Sequence, residues 1–394
     1  MDNISVINPV NCFSCRSCYQ SCPKSAISMN ENEEGFFYPV VDDKKCIDCG
    51  ICKKSCPAIE LPYFEKIGQE FWCAYLKDTN KIQQSSSGGI FAGIADYILS
   101  KNGVVFGAAY DSKLFVRHVF AENENDLQQL KGSKYVESST ANSFEQAKKN
   151  LVSGRKVLYS GCPCQIAGLR KYLKIDYDNL ITVDIICHGV PSSKLFQKYL
   201  EWLGRRLRGT ISYYGFRDKD VGGWGSRGKT KNEARTKLIE GLCDPYYSSF
   251  LRGETCRESC YKCPFANLNR MGDITIGDFW GVECFYPKIK TKQGVSCVIV
   301  NSQRGKELLS CCSGDIDLIR STKENVVFDN GNLIRPTQRP NIRDTIYSGI
   351  DDNLDIFFKR FKRKYLFQVK IKKVLIALIP RRLKGAIKKI LRSS

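Results

Sequence analysis

The sequence is poor in histidine and in long apolar runs. Histidine occurs only at His118 and His188, so few imidazoles are available for acid–base chemistry. The apolar run at 374–379 is far shorter than the roughly 20 residues that a membrane-spanning helix needs. No apolar export signal follows Met1, so the sequence predicts a cytoplasmic protein whose thiols stay reduced.

Acidic residues are scarce relative to basic ones. The chain has 61 Lys and Arg against 41 Asp and Glu, a formal net charge of +20. Residues 356–394 hold fourteen of the basic residues and no acidic one, which leaves +6 (20 − 14) on the rest of the chain. A basic tail on a nearly balanced body does not indicate a nucleic-acid surface, so no nucleic-acid partner is expected.

Cysteine, by contrast, is abundant, with 20 residues in all. Eight of them form two C-x2-C-x2-C-x3-C-P runs that begin 34 residues apart (46 − 12). This is the spacing of two [4Fe-4S] clusters in bacterial ferredoxins, where the fourth cysteine of each run binds the other cluster. The predicted ligands are Cys12, Cys15, Cys18 and Cys56 for cluster 1, and Cys46, Cys49, Cys52 and Cys22 for cluster 2. A zinc ribbon or a disulfide knot is the alternative, although zinc sites usually take two C-x2-C pairs separated by a longer loop.

The pattern along the chain divides it into three parts. Residues 1–62 form a predicted 2[4Fe-4S] ferredoxin-type domain, 63–345 a body, and 346–394 a basic tail. β-rich and helical runs alternate in the body, which predicts an α/β fold within an overall α+β or α/β class. The stretch after residue 211 has shorter strands and more glycine, so the body is either irregular there or split in two.

Apolar residues in the tail are spaced as on helices. The two predicted apolar faces are Phe367, Ile371, Val374, Leu375 and Leu378, then Leu383, Ala386, Ile387, Ile390 and Leu391. Basic residues fill the opposite faces. An amphipathic helix on an anionic membrane surface is one interpretation, and a helix docked on its own body is the other.

Two loops of the body are rich in small residues, which allow backbone N–H groups to approach a phosphate. One contains Ser87, Gly88 and Gly89 before a predicted helix, and the other contains Gly132, Ser133 and Lys134. A helix cap and an ordinary turn are the alternatives.

Further cysteines follow predicted strands. Cys164 follows the strand at 157–160 and Cys187 follows the next strand, a position where α/β proteins often bind cofactors. A C-x2-C pair lies further along the chain. The predicted ligands of a third [4Fe-4S] cluster are Cys164, Cys187, Cys260 and Cys263. Cys162 and Cys256 are the alternative ligands, a C-x-C redox dithiol at 162–164 is another, and buried cysteines without a metal are also open.

His188 lies next to Cys187 and is a candidate proton donor to a redox centre. A histidine that is only hydrogen-bonded in a turn is the alternative, and we expect His118 to be structural. The strand at 273–278 ends in a carboxylate and aromatic residues, which either line a cofactor pocket or cap the strand.

Six motifs together resemble the coenzyme F-420 hydrogenase/dehydrogenase beta-subunit family of flavin iron–sulfur oxidoreductases. They are SSSGGIF at 85–91, GSKYVES at 132–138, GCPCQIAGL at 161–169, DIICHGVPS at 184–192, SCYKC at 259–263 and DITIGDFWG at 273–281. The resemblance implies a third cluster on the four cysteines named above and FAD as the flavin. It also implies N- and C-terminal regions of the body that divide near 175–185, and flavin contacts from the two small-residue loops, Gly161 and Gln165. Bacterial members with a fused ferredoxin often lie among polysaccharide-biosynthesis genes.

These features predict an oxidoreductase that receives single electrons from ferredoxin or from a redox subunit, and that reduces a small molecule through FAD. A non-catalytic electron-transfer subunit is the alternative. A basic zinc protein that binds nucleic acid would need a basic body. The expected location is the cytoplasm, with contact of the tail with the inner face of an anionic membrane as a further hypothesis.

Overall fold

The structure is a computed structural model that describes residues 2–220 and 222–378, with only the backbone for 372–378. A small cysteine-rich domain comes first, a mixed α/β body follows, and a long helix comes last.

The N-terminal domain is built from a hairpin and two short helices. Strands β1 (Ile27–Glu31) and β2 (Phe37–Val41) pair antiparallel. The helices are α1 (Ser17–Gln20) and α2 (Ile51–Lys54). The residue before each helix has left-handed backbone, with φ of 60° at Arg16 and 69° at Gly50. The two cysteine runs therefore fold alike, and β1 is a strand that the sequence did not predict.

Eleven further strands and eleven further helices follow among the described residues. The strands are β3 (Glu70–Leu76), β4 (Val104–Tyr110), β5 (Val116–Ala121), β6 (Val157–Gly161), β7 (Leu180–Ile185), β8 (Tyr213–Gly215), β9 (Arg227–Lys231), β10 (Thr236–Glu240), β11 (Ile274–Asp278), β12 (Ser296–Val300) and β13 (Ile316–Arg320). The helices are α3 (Thr79–Gln83), α4 (Ile90–Ser100), α5 (Glu124–Leu130), α6 (Ser143–Val152), α7 (Pro163–Leu173), α8 (Ser193–Leu207), α9 (Pro245–Leu251), α10 (Gln303–Cys311), α11 (Lys323–Val327), α12 (Ile342–Ser348) and α13 (Leu354–Leu378).

Eight strands form one sheet in the order β13-β3-β12-β11-β7-β6-β4-β5. The four central strands β11, β7, β6 and β4 are parallel, and the remaining neighbours are antiparallel. The carboxyl ends of the parallel strands therefore meet at one edge of the sheet. The sheet continues through residues 175–185, because β6 and β7 pair directly from Val157 and Leu180 onward.

The stretch after residue 211 contributes a second, three-stranded sheet in the order β10-β9-β8. It packs on α8 and α9 through a core rich in aromatic side chains, including Tyr214, Phe216 and Tyr246. The body thus has one large sheet with a small sheet beside it. The stretch after residue 211 forms this second sheet rather than an irregular region.

The first turns of α13 are docked on the body. Phe358 packs against Tyr199 and Trp202 of α8 with ring centroids 5.7 and 5.3 Å apart, and Tyr365 is fully buried. Further along, Phe367 is 64% exposed. The predicted apolar face from Val374 onward lies outside the side chains that the structure describes, and the helix predicted after residue 380 lies outside its residues. Among the described residues, none of the helices combines the length and apolarity needed to cross a bilayer.

The N-terminal domain is held on the body by polar contacts that tie the two backbones together. The Gln20 side-chain carbonyl accepts from the Phe144 N–H (3.0 Å), and the Thr140 hydroxyl donates to the Cys15 carbonyl (2.9 Å). Arg343 of α12, which is 1% exposed, pairs with Glu34 in the β1–β2 turn. These contacts fix the first cysteine run against the body.

Candidate functional site

The first group of cysteines is buried where the N-terminal domain meets the body. Cys12, Cys15, Cys18 and Cys56 are each 7–8% exposed. Burial raises the pKa of the Cys18 thiol well above its usual value, and the other three cysteines raise it further. The fourth cysteine of the second run thus lies with the first three of the first run, the arrangement that the repeat predicts.

The second group surrounds a cavity near the surface. It is lined by Cys46, Cys49 and Cys52 of the second run and by Cys22 of the first. Cys49 is exposed. This cavity therefore lies at the solvent side of the N-terminal domain, whereas the first group lies at its body side.

Backbone N–H groups point at several of these sulfurs. The Ser14 N–H donates to Cys12 Sγ (3.4 Å) and the Ala26 N–H to Cys22 Sγ (3.2 Å). In the body, the Gly189 N–H donates to Cys187 Sγ (3.4 Å). Such contacts stabilise thiolates and adjust the potentials of iron–sulfur clusters.

A third group of cysteines lines a cavity in the body. Its cysteines are Cys162, Cys164, Cys187, Cys260 and Cys263. The first three follow the carboxyl ends of the adjacent parallel strands β6 and β7, and the last two lie in and after a 3-10 helix at Glu258–Lys262. The structure thus brings together all four predicted ligands of the third cluster, with Cys162 beside them.

The two alternative ligands differ in position. The Cys162 thiol donates a hydrogen bond to Cys187, which lowers the pKa of Cys187 to about 7 and raises that of Cys162. Cys256 lies outside the cavity, and its thiol donates to the His188 carbonyl (3.6 Å). Cys162 and Cys187 therefore interact directly at the cavity, whereas Cys256 lies outside it.

No group of three or more His, Cys, Asp or Glu side chains within 2–220 and 222–378 is placed to hold one metal ion. The second and third groups each line a pocket with at least four cysteines, and a cubane takes one thiolate on each of its four irons.

His188 lies between the body cavity and a polar cluster at the end of β11. It lines the cavity. Burial lowers the pKa of the His188 imidazole, the Asp278 carboxylate raises it, and the Arg217 guanidinium lowers it. The neighbouring strands β7 and β11 are parallel, so His188 and Asp278 leave the sheet at the same edge. A neutral imidazole beside a redox cavity can hold or release a proton.

The polar cluster itself combines a buried ion pair with stacked aromatic rings. Arg217 donates to both carboxylate oxygens of Asp278 (3.0 and 3.2 Å). The Trp224 indole N–H donates to Asp278 (2.7 Å), and the Trp224 and Trp280 rings stack with centroids 4.7 Å apart. The strand at 273–278 thus ends in a shaped polar and aromatic surface.

The two small-residue loops contact each other. The Ser133 N–H and hydroxyl both donate to Ser86 Oγ (2.8 and 2.9 Å). Some groups of these loops are engaged elsewhere. The Gly88 N–H donates to Ser296 Oγ (3.0 Å), and the Ser87 hydroxyl donates to the Val295 carbonyl (2.9 Å).

Lys134 and Gly132 differ in availability. The Lys134 ammonium donates to the carbonyls of Gln129 and Lys131 (2.9 and 2.8 Å) near the end of α5, and burial lowers its pKa to about 7. Gly132 has a φ of +81° and faces open space. Lys134 therefore caps a helix, and only the Gly132 side of this loop is open.

Gln165 and Gly161 form part of the turn that positions the body cysteines. The Gln165 side chain accepts from the Cys162 N–H (2.9 Å) and donates to the Ser138 carbonyl (3.1 Å). A Cβ at Gly161 would lie 3.0 Å from Oε1 of the Gln165 side-chain amide. Both residues hold the turn that carries Cys162 and Cys164, and the flavin contacts expected of them stay predictions.

His118 is buried in β5 with both ring nitrogens hydrogen-bonded. Nδ1 is 2.8 Å from the Ser138 hydroxyl and Nε2 is 3.1 Å from the Ser160 carbonyl. Burial lowers the pKa of His118 to about 4. These contacts give His118 a structural role.

Family models match two parts of the chain. A 4Fe-4S dicluster domain matches residues 11–58. The model for the C-terminal part of the coenzyme F420 hydrogenase/dehydrogenase beta subunit matches residues 154–321, which include the cysteines of the body cavity and Asp278. Residues 154–321 therefore match the C-terminal domain of this beta-subunit family. The chain is an iron–sulfur electron-transfer protein related to that beta subunit, with a 4Fe-4S dicluster domain at its N-terminal end.

Among solved structures, the chain is similar to a chain of the F420-reducing [NiFe] hydrogenase complex from Methanosarcina barkeri, studied by xenon derivatization. The identity is 17%, the match covers 80% of this chain and 95% of the other, and the TM-score is 0.45. At that score the likeness supports no conclusion. No curated protein matches the chain.

Several residues of the site were not predicted from the sequence. Arg217 and Lys219 lie after the short strand β8, and Trp224 lies in the following loop. Lys219 is buried and donates to the carbonyls of Ile82 and Ser87 (2.7 and 2.6 Å). The alternating charges of the FRDKD stretch at 216–220 are the only local signal, and they are typical of an exposed loop.

Proposed function

We propose that the chain is an iron–sulfur flavoprotein that passes electrons from its N-terminal domain to a flavin in the body. The observation that carries the proposal is the third group of cysteines. Four predicted ligands from three separate segments line one cavity, which lies between the N-terminal domain and the polar cluster at Asp278. Bound [4Fe-4S] clusters would supply one-electron transfer, and FAD would couple two such transfers to hydride chemistry.

The eight N-terminal cysteines hold the proposed clusters 1 and 2 in a fixed order. The exposed Cys49 places the second group at the surface, which is open to a one-electron donor such as ferredoxin or a redox subunit. The first group lies against the body, since Cys15 contacts Gly168 so closely that a Cβ there would be 2.9 Å from its sulfur. Phe13 of the N-terminal domain and Phe265 of the body both line the body cavity and meet edge to face with ring centroids 5.4 Å apart.

Residues near the Ser85–Gly89 loop fit the phosphates of FAD. Lys219 and Arg217 both donate to carbonyls of this loop, those of Ser87 and Ser86. Burial lowers the pKa of Lys219 to about 7, and among the described residues no carboxylate forms an ion pair with it. The Nε of Arg217 is also buried without a hydrogen-bond partner in the described part of the chain. An anion would complete this site, and the N-terminus of α4 adds a favourable dipole.

His188 is the proposed proton donor. Its imidazole lines the body cavity and feels the charges of Asp278 and Arg217. The neutral form at pH 7 can relay a proton between solvent and a reacting group. The reduced molecule is a small organic compound, and a role in polysaccharide biosynthesis rests on the sequence resemblance alone.

The experiment that tests this proposal is an anaerobic titration with dithionite, followed by absorbance. Three clusters and one flavin take up about five electrons per chain. The Cys187→Ser variant should take up about one electron fewer. A total of about two electrons without a flavin spectrum would contradict the proposal. Reoxidation of the reduced chain by small molecules separates an enzyme from a subunit that passes electrons only to a partner protein.

The tail is the second surface for which we propose a partner. Phe367 and Ile371 are exposed beyond the docked turns of α13, alongside the basic residues of the same helix. We propose peripheral contact with anionic lipid. Sedimentation with phosphatidylserine vesicles should be lost when 367–394 is deleted, whereas neutral vesicles should bind neither form. Equal binding of both forms to anionic vesicles would contradict this proposal.

A further inference from the structure

Arg257 lies at the junction between the N-terminal domain and the body cavity. It is 1% exposed and lines the cavity. Its backbone is fixed within the body, because its N–H donates to the Val190 carbonyl (3.0 Å) and its carbonyl accepts from the Cys260 N–H (2.9 Å). The residue is thus held three positions before a predicted ligand of the third cluster.

The guanidinium group of Arg257 reaches across to the N-terminal domain. It donates to the Cys12 carbonyl (3.5 Å) and to the Phe37 carbonyl. It also lies 5.0 Å from the centre of the Phe36 ring and 4.3 Å from that of Tyr38. One buried cation therefore contacts the loop that carries cluster 1 while it borders the cavity of the third cluster.

The positive charges at this junction outnumber the negative ones. Glu137 lies 3.5 Å from Arg257, and the Glu137 carboxylate also acts on the nearby Arg16. Glu137 Oε2 and Arg257 Nε are buried without a hydrogen-bond partner in the described part of the chain. A single carboxylate shared by two guanidinium groups leaves one net positive charge, which is costly to bury unless an anionic group lies nearby.

We infer that Arg257 and Glu137 set the reduction potentials of the two clusters on either side of the junction. Arg257 raises both potentials and Glu137 lowers them. Each cluster gains one negative charge when it takes up an electron, and a buried cation stabilises that charge strongly in a low-dielectric environment. The inference rests on the proposed function, because it requires clusters in both places.

The test is a redox titration of the full chain, loaded with iron and sulfide under anaerobic conditions. Dithionite supplies one electron to each cluster, and electron paramagnetic resonance reports each midpoint potential. The Cys187→Ser and Cys49→Ser variants assign the signals of the third cluster and of cluster 2. We expect Arg257→Gln to shift cluster 1 and the third cluster to more negative potentials, and Glu137→Gln to shift both to more positive ones. Cluster 2 should not shift in either variant.

Two controls separate charge from packing. Arg257→Lys keeps the positive charge. The potentials of cluster 1 and the third cluster should therefore stay close to those of the unmodified chain. Arg343→Gln removes an equally buried arginine that pairs with Glu34 across the same interface but does not line the cavity, so it should lower stability with a smaller shift in potential. If Arg257→Gln does not assemble, Glu137→Gln must still give the positive shift.

Unchanged potentials in chains that hold all three clusters would overturn the inference. Equal shifts in all three clusters, or an equal shift from Arg343→Gln, would also overturn it, since both indicate a general loss of packing. A chain that binds about eight iron would instead remove the third cluster, and with it the proposed function. The iron count therefore distinguishes the two failures.

Discussion

At the scale of single residues, the chemistry depends on which thiols face a cavity. Cys187 and Cys256 are in neighbouring segments, and both are partly or fully buried. Only Cys187 lines the body cavity, while the Cys256 thiol donates to a backbone carbonyl. Spacing could not separate these two because the segments that carry them meet only in the folded chain.

The first prediction follows from that difference. Cys187→Ser should lose about four of about twelve iron per chain, because one cubane then lacks a ligand. Cys256→Ser is the matched control and should keep all twelve. Iron analysis of anaerobically purified variants measures both. Retention of twelve iron by Cys187→Ser, or a loss of four by Cys256→Ser, would show that the cavity is assigned to the wrong thiols.

A second prediction concerns the two small-residue loops. A Cβ at Gly88 would lie 2.6 Å from the Ala74 carbonyl oxygen, so Gly88→Ala should lower stability by about 1–3 kcal/mol through steric overlap. Gly132 faces open space, and Gly132→Ala should cost only about 1–2 kcal/mol for its left-handed backbone.

Unfolding in guanidinium measures the stability of the two glycine variants, and flavin analysis measures how much cofactor they bind. Gly88→Ala should also reduce bound flavin, because it moves the loop that Lys219 and Arg217 contact. Full flavin content in a destabilised Gly88→Ala chain would argue against a phosphate site in this loop.

At the scale of elements, the sequence predicted the long, regular segments well. The strands predicted at 157–160 and 273–278 are β6 and β11, which lie within one residue of the predicted bounds because each begins with an apolar residue and is followed by a turn. The short strand β8 lies in the stretch after residue 211 where short strands were predicted, whereas β9 and β10 were missed because they are mostly polar. Their loops carry Arg217, Lys219 and Trp224, so the missed elements are also those that complete the site.

The C-terminal helix gives a prediction at this scale. Phe358→Ala should lower stability by about 3–5 kcal/mol, because its ring fills a buried space between Tyr199 and Trp202. Phe367→Ala, on the same helix but exposed, should change stability very little. Anaerobic unfolding curves compare the two. Equal effects would mean that the docked part of the helix ends elsewhere.

At the scale of the whole molecule, the three cysteine groups follow one another from the surface to the body. The second group is near the surface, the first is buried at the interface, and the third lies in the body beside His188. The repeat predicted the exchange of Cys22 and Cys56 between runs, since that exchange is built into the spacing. The placement of Arg257 between two groups could not be predicted, because it depends on how two domains dock.

Analysis of the anaerobically purified chain for iron, acid-labile sulfide, zinc and flavin tests most directly whether three clusters and a flavin are bound. Three clusters and a flavin require about twelve iron and twelve sulfide with one FAD per chain, and we expect no bound zinc. About eight iron without flavin would indicate a ferredoxin domain joined to a body of another function, and would contradict the proposed function. Zinc in place of iron would contradict the iron–sulfur assignment itself.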